Sequence, residues 1–316
     1  MPLHPELRRL LDATPPDAGL EPTGVDAVEE ACRMRARPLP PVDVPGAVPT
    51  TDLSIPGPAG ALRARLYKPA RPNGLVVHLH GGGWVIGSIE QDDFYCQLVA
   101  RDAGCAVLSV DYRLAPEHPF PAPLEDAHAA VLWAAQEAEV LCGRAVPLGI
   151  SGISAGGNLA AAVTTRLRDA GGPALAGQVL LYPVCDAGMD TPSYAANGTG
   201  YRLTAAAMRW FWDCYAPRAE ERFHPEASVL RGPRFEGLPP AAVLTCEYDP
   251  LRDEGDAYAR RLAAAGVRVE HIEVPGVIHG FLRTGWNLPW GAEPLARVCA
   301  ALRRSLEDAA SATRPD

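Results

Sequence analysis

From about residue 52 the chain alternates short apolar, β-prone runs with longer helical stretches, and no other feature restricts the fold as strongly. Leu62–Tyr67, Leu75–Leu79, Ala106–Val110, Val146–Ile150, Gln178–Leu181, Ala241–Cys246 and Val269–Val274 read as strands. Gln91–Asp102, Ala122–Ala138, Ala155–Ala170, Asp253–Ala265 and Glu293–Leu306 read as helices. The central strand runs are almost continuously apolar, as expected where helices cover both faces of a parallel sheet. The alternation therefore predicts an α/β fold. Between Cys185 and Arg234 the rhythm lapses into a segment rich in proline, glycine and aromatics. That segment is expected to be an insertion over the sheet's carboxyl edge, with a helix near Thr204–Tyr215. Residues 1–50 are helix-prone at Pro5–Leu11 and Asp26–Arg37 and proline-rich from Pro38 to Pro49. They read as a lid or cap element on an extended linker.

Composition removes several classes of function. Hydrophobic residues make up 47% and charged residues 21%, near the globular average, which excludes a mostly disordered chain. The formal charge is −9 and no basic block is present, so neither nucleic acid nor an anionic membrane surface is an expected partner. Lys68 is the one lysine, and the many arginines read as coding bias rather than a binding patch. Met1 to Leu20 lacks the apolar core of a signal peptide, and no apolar run approaches the ~18 residues that span a bilayer. A soluble, cytoplasmic protein is expected. The eight cysteines are scattered, without C-x-x-C pairs or metal-ligand spacing, and read as reduced, buried thiols with no metal site.

Gly152-Ile153-Ser154-Ala155-Gly156 is a G-x-S-x-G between a predicted strand and a predicted helix, the context a nucleophile elbow requires. Composition alone gives about 0.08 such matches, so the motif by itself is only suggestive; an ordinary N-cap serine is the bland alternative. His80-Gly81-Gly82-Gly83-Trp84 follows the strand Leu75–Leu79, and chance gives about 0.007 matches to its first four residues. Three glycines in a row expose backbone N–H groups that, with that of Ala155, can bind a developing oxyanion. The spacings of dinucleotide and P-loop phosphate cradles are absent. His80 reads as a loop-ordering residue. Trp84 adjoins the donors and is expected in a pocket wall.

Asp249 follows the strand Ala241–Cys246, and His279 follows the strand Val269–Val274. Each lies just beyond a strand's carboxyl end, where open α/β sheets place their sites. The chain order Ser, Asp, His matches that of α/β-hydrolases. A serine hydroxyl becomes a useful nucleophile when an imidazole takes its proton. A carboxylate on the far ring nitrogen fixes the tautomer. Glu247 reads as a buried structural partner, and Asp253 and Glu254 as first-turn helix acids.

On these residues the sequence resembles the bacterial hormone-sensitive-lipase-like esterases, family IV of the α/β-hydrolases. The motifs that carry the resemblance are His80-Gly-Gly-Gly-Trp, Asp111-Tyr-Arg-Leu-Ala-Pro-Glu-His-Pro-Phe-Pro-Ala, Ser154-Ala-Gly-Gly-Asn-Leu-Ala, Tyr182-Pro-Val, Asp249-Pro-Leu-Arg-Asp-Glu and His279-Gly-Phe. The resemblance implies an α/β-hydrolase fold with a mostly parallel sheet of about eight strands, flanked by helices. It implies one domain, 1–316, with a helical cap from 1–50 and 185–235 over a body of 51–184 and 236–316. It implies a triad of Ser154, Asp249 and His279 with oxyanion donors at Gly82, Gly83 and Ala155. The implied activity is serine carboxylesterase action on short- to medium-chain esters, a small-molecule substrate, with no metal or organic cofactor. Homodimers are common in the family. A tailoring deacetylase, amide hydrolase or lyase, and a non-catalytic small-molecule receptor, are the rival readings. The family usually has Asp or Thr where Ile153 stands, which leaves substrate preference open. Arg113, Glu117 and Asp126 read as a loop-bracing ion-pair set. Trp84, Trp210, Phe211, Trp212, Tyr215 and Phe281 are the candidate pocket residues. For the Trp210–Tyr215 cluster, packing of cap on body is an equal alternative.

Overall fold

Five successive apolar or buried residues, Leu75–Leu79, form a strand with every side chain out of water, and Ala106–Val110 does the same beside it. The computed structural model describes residues 1–13, 20, 22–24, 26–37 and 40–312. Eight strands run through it: β1 (Thr50–Gly57), β2 (Gly60–Tyr67), β3 (Leu75–Leu79), β4 (Ala106–Val110), β5 (Leu148–Ile153), β6 (Leu175–Leu181), β7 (Ala241–Tyr248) and β8 (Val269–Ile278). They form one sheet in the order β1-β2-β4-β3-β5-β6-β7-β8. β1 pairs with β2, and β2 with β4, in antiparallel register; every later pairing is parallel. This is the expected mostly parallel α/β sheet. β1 is absent from the sequence reading. It is an edge strand, largely exposed, whose Thr-Thr-Asp start and Pro56 break the apolar pattern.

The helices are α1 (Pro5–Ala13), α2 (Ala27–Arg35), α3 (Asp93–Ala103), α4 (Ala122–Cys142), α5 (Ala155–Ala170), α6 (Pro192–Asn197), α7 (Ala205–Tyr215), α8 (Ala219–Arg222), α9 (Arg252–Ala264), α10 (Leu282–Gly285) and α11 (Pro289–Ala312). Two apolar cores result, one on each face of the sheet. Residues of α4, α5, α7 and α9 fill one, from Leu124 and Leu159 to Leu262. Residues of α1, α3 and α11 fill the other, from Leu7 and Leu98 to Leu302. Covering both faces is why the inner strands tolerate no polar alternation.

The 1–50 segment is described in part; 14–19, 21, 25 and 38–39 lie outside the described residues. Within it, Asp26 caps α2 by accepting from the N–H groups of Val28 and Glu29. Arg35 at the other end donates to the carbonyls of Val85 and Ala115, each at 2.7 Å, and forks onto Glu117. Glu117 thus braces α2, not Arg113 as the sequence reading grouped it. Arg113 instead grips the fully buried Asp126 through Nε and Nη2 at 2.8 and 2.7 Å. α7 starts at Thr204, whose hydroxyl accepts from Ala207 N–H, and its last residue, Tyr215, accepts from Phe120 N–H at 2.6 Å.

Seven of the eight cysteines are buried, as expected, but Cys32 on α2 is exposed. Burial pushes the other seven thiols upward in pKa, away from thiolate. Glu247 is not buried: it is half-exposed and accepts from Gly276 N–H. Glu254 is in the first turn of α9, as the sequence reads it, and it is almost fully buried there, its Oε1 accepting from Cys185 N–H at 2.7 Å. Its Oε2 has no partner among the described residues.

Burial, reinforced by the charges of Asp186 and Asp249, raises the Glu254 carboxyl well above its ordinary 4.5. A raised carboxyl stabilises the fold at low pH and loses that contribution as pH climbs from about 4.5 towards the folded value. Glu254→Gln keeps the acceptor for Cys185 and removes the ionisation. Its Tm is expected to exceed the wild type's at neutral pH by about 2–4 °C, and to converge with it near pH 4.5. A Tm lowered equally at every pH would show that the proton carries no weight here.

Candidate active site

Ser154 sits where β5 turns directly into α5, with φ +55° and ψ −116°, a strained conformation for a residue with a Cβ. The turn can close because its neighbours are glycines. A Cβ on Gly152 would lie 2.0 Å from the carbonyl oxygen of Gly156, and one on Gly156 would lie 2.0 Å from that of Leu79 in β3. Ser154 occupies the N-cap position of α5 but caps nothing: its side chain accepts no helix N–H. Its hydroxyl points instead at His279, with Oγ 3.0 Å from Nε2. His279 Nδ1 lies 2.6 Å from Asp249 Oδ2, and Asp249 Oδ1 accepts from Leu251 N–H at 2.9 Å. Ser154 and His279 keep a little exposure, 7% and 9%, while Asp249 behind them has none. The three sequence candidates are therefore brought together from the ends of β5, β7 and β8.

α6 holds the acid-bearing turn. Asn197 Nδ2 donates to the carbonyls of Glu247 and Asp249, and Ser193 Oγ donates to that of Pro250 at 2.6 Å. Tyr182, after β6, packs its ring edgewise on His279 at 4.7 Å, which fixes the imidazole plane from one side.

The loop after β3 faces this trio. Gly81 N–H donates to Asp92 Oδ2 at 3.1 Å, while the N–H groups of Gly82, Gly83 and Ala155 meet no acceptor among the described residues. Such free donors beside a nucleophile are what a tetrahedral oxyanion requires. Gly83 has φ +59°, and a Cβ there would stand 2.3 Å from the Phe211 ring. His80 is buried, stacked on Tyr112 at 4.2 Å, with Nδ1 donating to the Gly81 carbonyl at 2.9 Å. Desolvation lowers its pKa and keeps it neutral, in line with a loop-ordering role. Beneath the loop, Asp92 also meets His78 Nε2 at 3.2 Å, and Tyr95 shares a hydrogen bond with Ser151 at 2.9 Å. Sequence reasoning missed Asp92, since it falls inside the helix read at Gln91–Asp102 and beside a second acid, Asp93, with nothing to single it out.

An open cleft of about 770 Å³ runs past Ser154 and His279, and its apolar wall includes Ile153, Leu203, Met208 and Phe211. Of the six aromatic candidates only Phe211 lines it. Trp84 is fully buried and stacks flat on Tyr215 at 4.1 Å, with Trp212 tilted against it at 4.7 Å. Those three rings pack α7 onto the body, and Trp210 packs on the same core. Phe281 is buried between Tyr182 and Trp290. Packing therefore accounts for these five, and closeness in sequence to the glycines misplaced Trp84. The cleft also holds Tyr182, Arg202 and Arg283, which were not anticipated. Only Tyr182 carried a signal, as part of the Tyr182-Pro-Val motif. Among the described residues no cluster of His, Cys, Asp and Glu could hold a metal ion, and no helix is long and apolar enough to cross a membrane.

Comparison with known proteins places these features in context. A family described as an alpha/beta hydrolase fold matches residues 76–283. A carboxylic ester hydrolase, LipN, of Mycobacterium tuberculosis is 43% identical over 81% of this chain and 70% of its own length. An ethyl acetate hydrolase of Pseudomonas putida is 40% identical over 81% of this chain and 83% of its own. A hyperthermophilic esterase of the archaeon Pyrobaculum calidifontis superposes with a TM-score of 0.86 at 38% identity, covering 96% of this chain and 99% of that one.

The contact between Gly83 and Phe211 gives a direct test of the loop. Gly83→Ala is expected to lower kcat by at least about tenfold with the circular dichroism spectrum unchanged, because the donor must shift to clear the ring. Adding Phe211→Leu should recover part of the loss. Full activity in Gly83→Ala alone would mean that the position of this N–H is immaterial.

Proposed function

The chain belongs to the α/β-hydrolase family, and from that membership we propose that it is a serine carboxylesterase acting on small esters of short to medium acyl chains. One observation carries the reading: a Ser–His–Asp relay with contacts of 3.0 and 2.6 Å, opening on a cleft beside unoccupied backbone donors.

In this mechanism Ser154 Oγ attacks the ester carbonyl while His279 Nε2 takes its proton. Asp249 holds the Nδ1–H tautomer and stabilises the imidazolium. The N–H groups of Ala155, Gly82 and Gly83 receive the oxyanion, in a setting where losing one donor costs about 2.7–4 kcal/mol elsewhere. The imidazolium then protonates the departing alkoxide, leaving an acyl-enzyme. Water enters, gives its proton to His279 and attacks the acyl carbon, and Ser154 is regenerated. The neutral, buried His80 has no place in this proton path.

The family relationship and the site support a finer organisation. Residues 1–50 and 185–235 serve as the cap over a body of 51–184 and 236–316. α7, clamped by the Trp84–Tyr215 stack, presents Met208 and Phe211 to the cleft. The Arg35 contacts tie the cap's N-terminal part to the loop that follows the glycines. A cytoplasmic setting accords with the absence of any membrane-crossing helix among the described residues. A homodimer accords with the family's habit.

Hydrolysis of p-nitrophenyl esters from acetate to palmitate, by wild type and Ser154→Ala in parallel, tests the reading. Wild type should show an acyl-enzyme burst and its highest kcat/KM at short chains, declining beyond medium length because the cleft is lined closely by Phe211 and Met208. Ser154→Ala should lose about 10⁴-fold or more. Turnover that survives the substitution would remove Ser154 as the nucleophile.

A further inference from the structure

Two arginines stand in the cleft beside Ser154, and neither pairs with a carboxylate among the described residues. Arg202, two residues before the cap of α7, is solvent-exposed along the cleft wall and approaches Gly280, next to His279; its Nη1 lies 3.6 Å from the site of a Cβ there. Its guanidinium forms no hydrogen bond and no ion pair with any described residue. Arg283 on α10 is half-buried, and its Nη1 and Nη2 donate to the carbonyls of Gln91 and Pro40, both at 2.7 Å. Those acceptors are neutral, so the charge of Arg283 also stays uncompensated by any direct pair. Elsewhere on the body arginines such as Arg113 and Arg166 find a carboxylate.

The two cations feel one another. The like charge of Arg283 reaches Arg202 across the cleft. Among the described residues the one carboxylate in the cleft wall, Asp92, is engaged with Gly81 N–H and His78. Asp249 is engaged with His279 and Leu251. A neutral ester would leave Arg202 without a counterion and Arg283 with only the field of Asp92, a carboxylate already engaged elsewhere. In a chain of formal charge −9, two arginines without a direct ion pair to any described residue stand beside the nucleophile.

We propose that Arg202 and Arg283 form an anion-binding subsite, so that the preferred esters carry a carboxylate elsewhere in the same molecule, as half-esters of dicarboxylic acids do. The proposal rests on the esterase reading above and names its substrate class. Both guanidiniums keep donors free for a carboxylate, and charge-assisted hydrogen bonds to it are roughly twice as strong as neutral ones. Hydrolysis of such a half-ester breaks the acyl carbon–alkoxide bond, consumes one water and releases the alcohol, the dicarboxylate and one proton.

The experiment compares kcat/KM by pH-stat for two pairs. Monomethyl adipate against methyl hexanoate puts the carboxylate on the acyl side. 4-Acetoxybutanoate against pentyl acetate puts it on the alcohol side. At least one charged ester is expected to exceed its neutral partner by about tenfold, and added salt should narrow the gap. In Arg202→Leu the charged-to-neutral ratio should fall by about tenfold, with part restored in Arg202→Lys. Arg283→Gln should lower the same ratio. Neutral esters hydrolysed while both charged esters are slower in wild type would overturn the subsite and leave the esterase reading intact. A charge preference that survives both substitutions would overturn the assignment to these arginines. If none of the four esters is hydrolysed, the esterase reading fails and the subsite fails with it.

Discussion

The site depends on how closely two strand ends approach. The backbone leaving β5 passes so near that leaving β3 that Gly156 has room for no side chain against the Leu79 carbonyl. Any Cβ there would force the two apart by an ångström or more. That separation would break the register of a nucleophile, a glycine loop and their shared oxyanion position, which productive catalysis needs to within about half an ångström. The strain at Ser154 is tolerated because the surrounding sheet over-determines it: Ser154 N–H donates to Leu181 O on β6, and its carbonyl accepts from Asn158 and Val184. The elbow is thus held by both neighbouring strands and by the first turn of α5.

A polar layer below and an aromatic layer above keep the glycine loop in place. Below, Asp92 reaches Gly81 N–H and so removes one of three possible donors from chemistry while fixing where the other two point. Above, the Trp84 ring is sandwiched with Tyr215 and Trp212, so the loop's far end cannot lift without unstacking α7. Arg35 adds a third restraint through the Val85 carbonyl. The loop is glycine-rich but has little freedom, because each end is tied to a different element.

The fold and the reacting trio were legible because they are encoded in local pattern. Leu75–Leu79, Ala106–Val110 and Ala155–Ala170 have the same bounds in sequence and structure, each being a continuous apolar or strongly helical run ending in glycine or a turn. The sequence pattern for β8 stops at Val274, four residues short, since Pro275 and Gly276 look like a break although the strand continues to Ile278. The pocket was much less legible. Trp84 has a positive φ of 61°, and its ring lies in the α7 core rather than the cleft. Arg202 and Asp92 lie in irregular segments, where no periodicity reports a side chain's direction. Glu254 has the sequence setting of a surface acid, and only the approach of the Cys185 backbone reveals it as buried.

The cysteine distribution has a practical consequence. Seven thiols are enclosed and held protonated, while Cys32 lies open on α2, the helix whose Arg35 reaches the loop behind the glycines. A maleimide fluorophore or spin label would therefore attach at one place without any cysteine being replaced. That place rides on the helix whose Arg35 grips the Val85 and Ala115 carbonyls. The native chain comes supplied with a spectroscopic reporter of that helix's hold on the glycine loop, mounted outside the reacting groups.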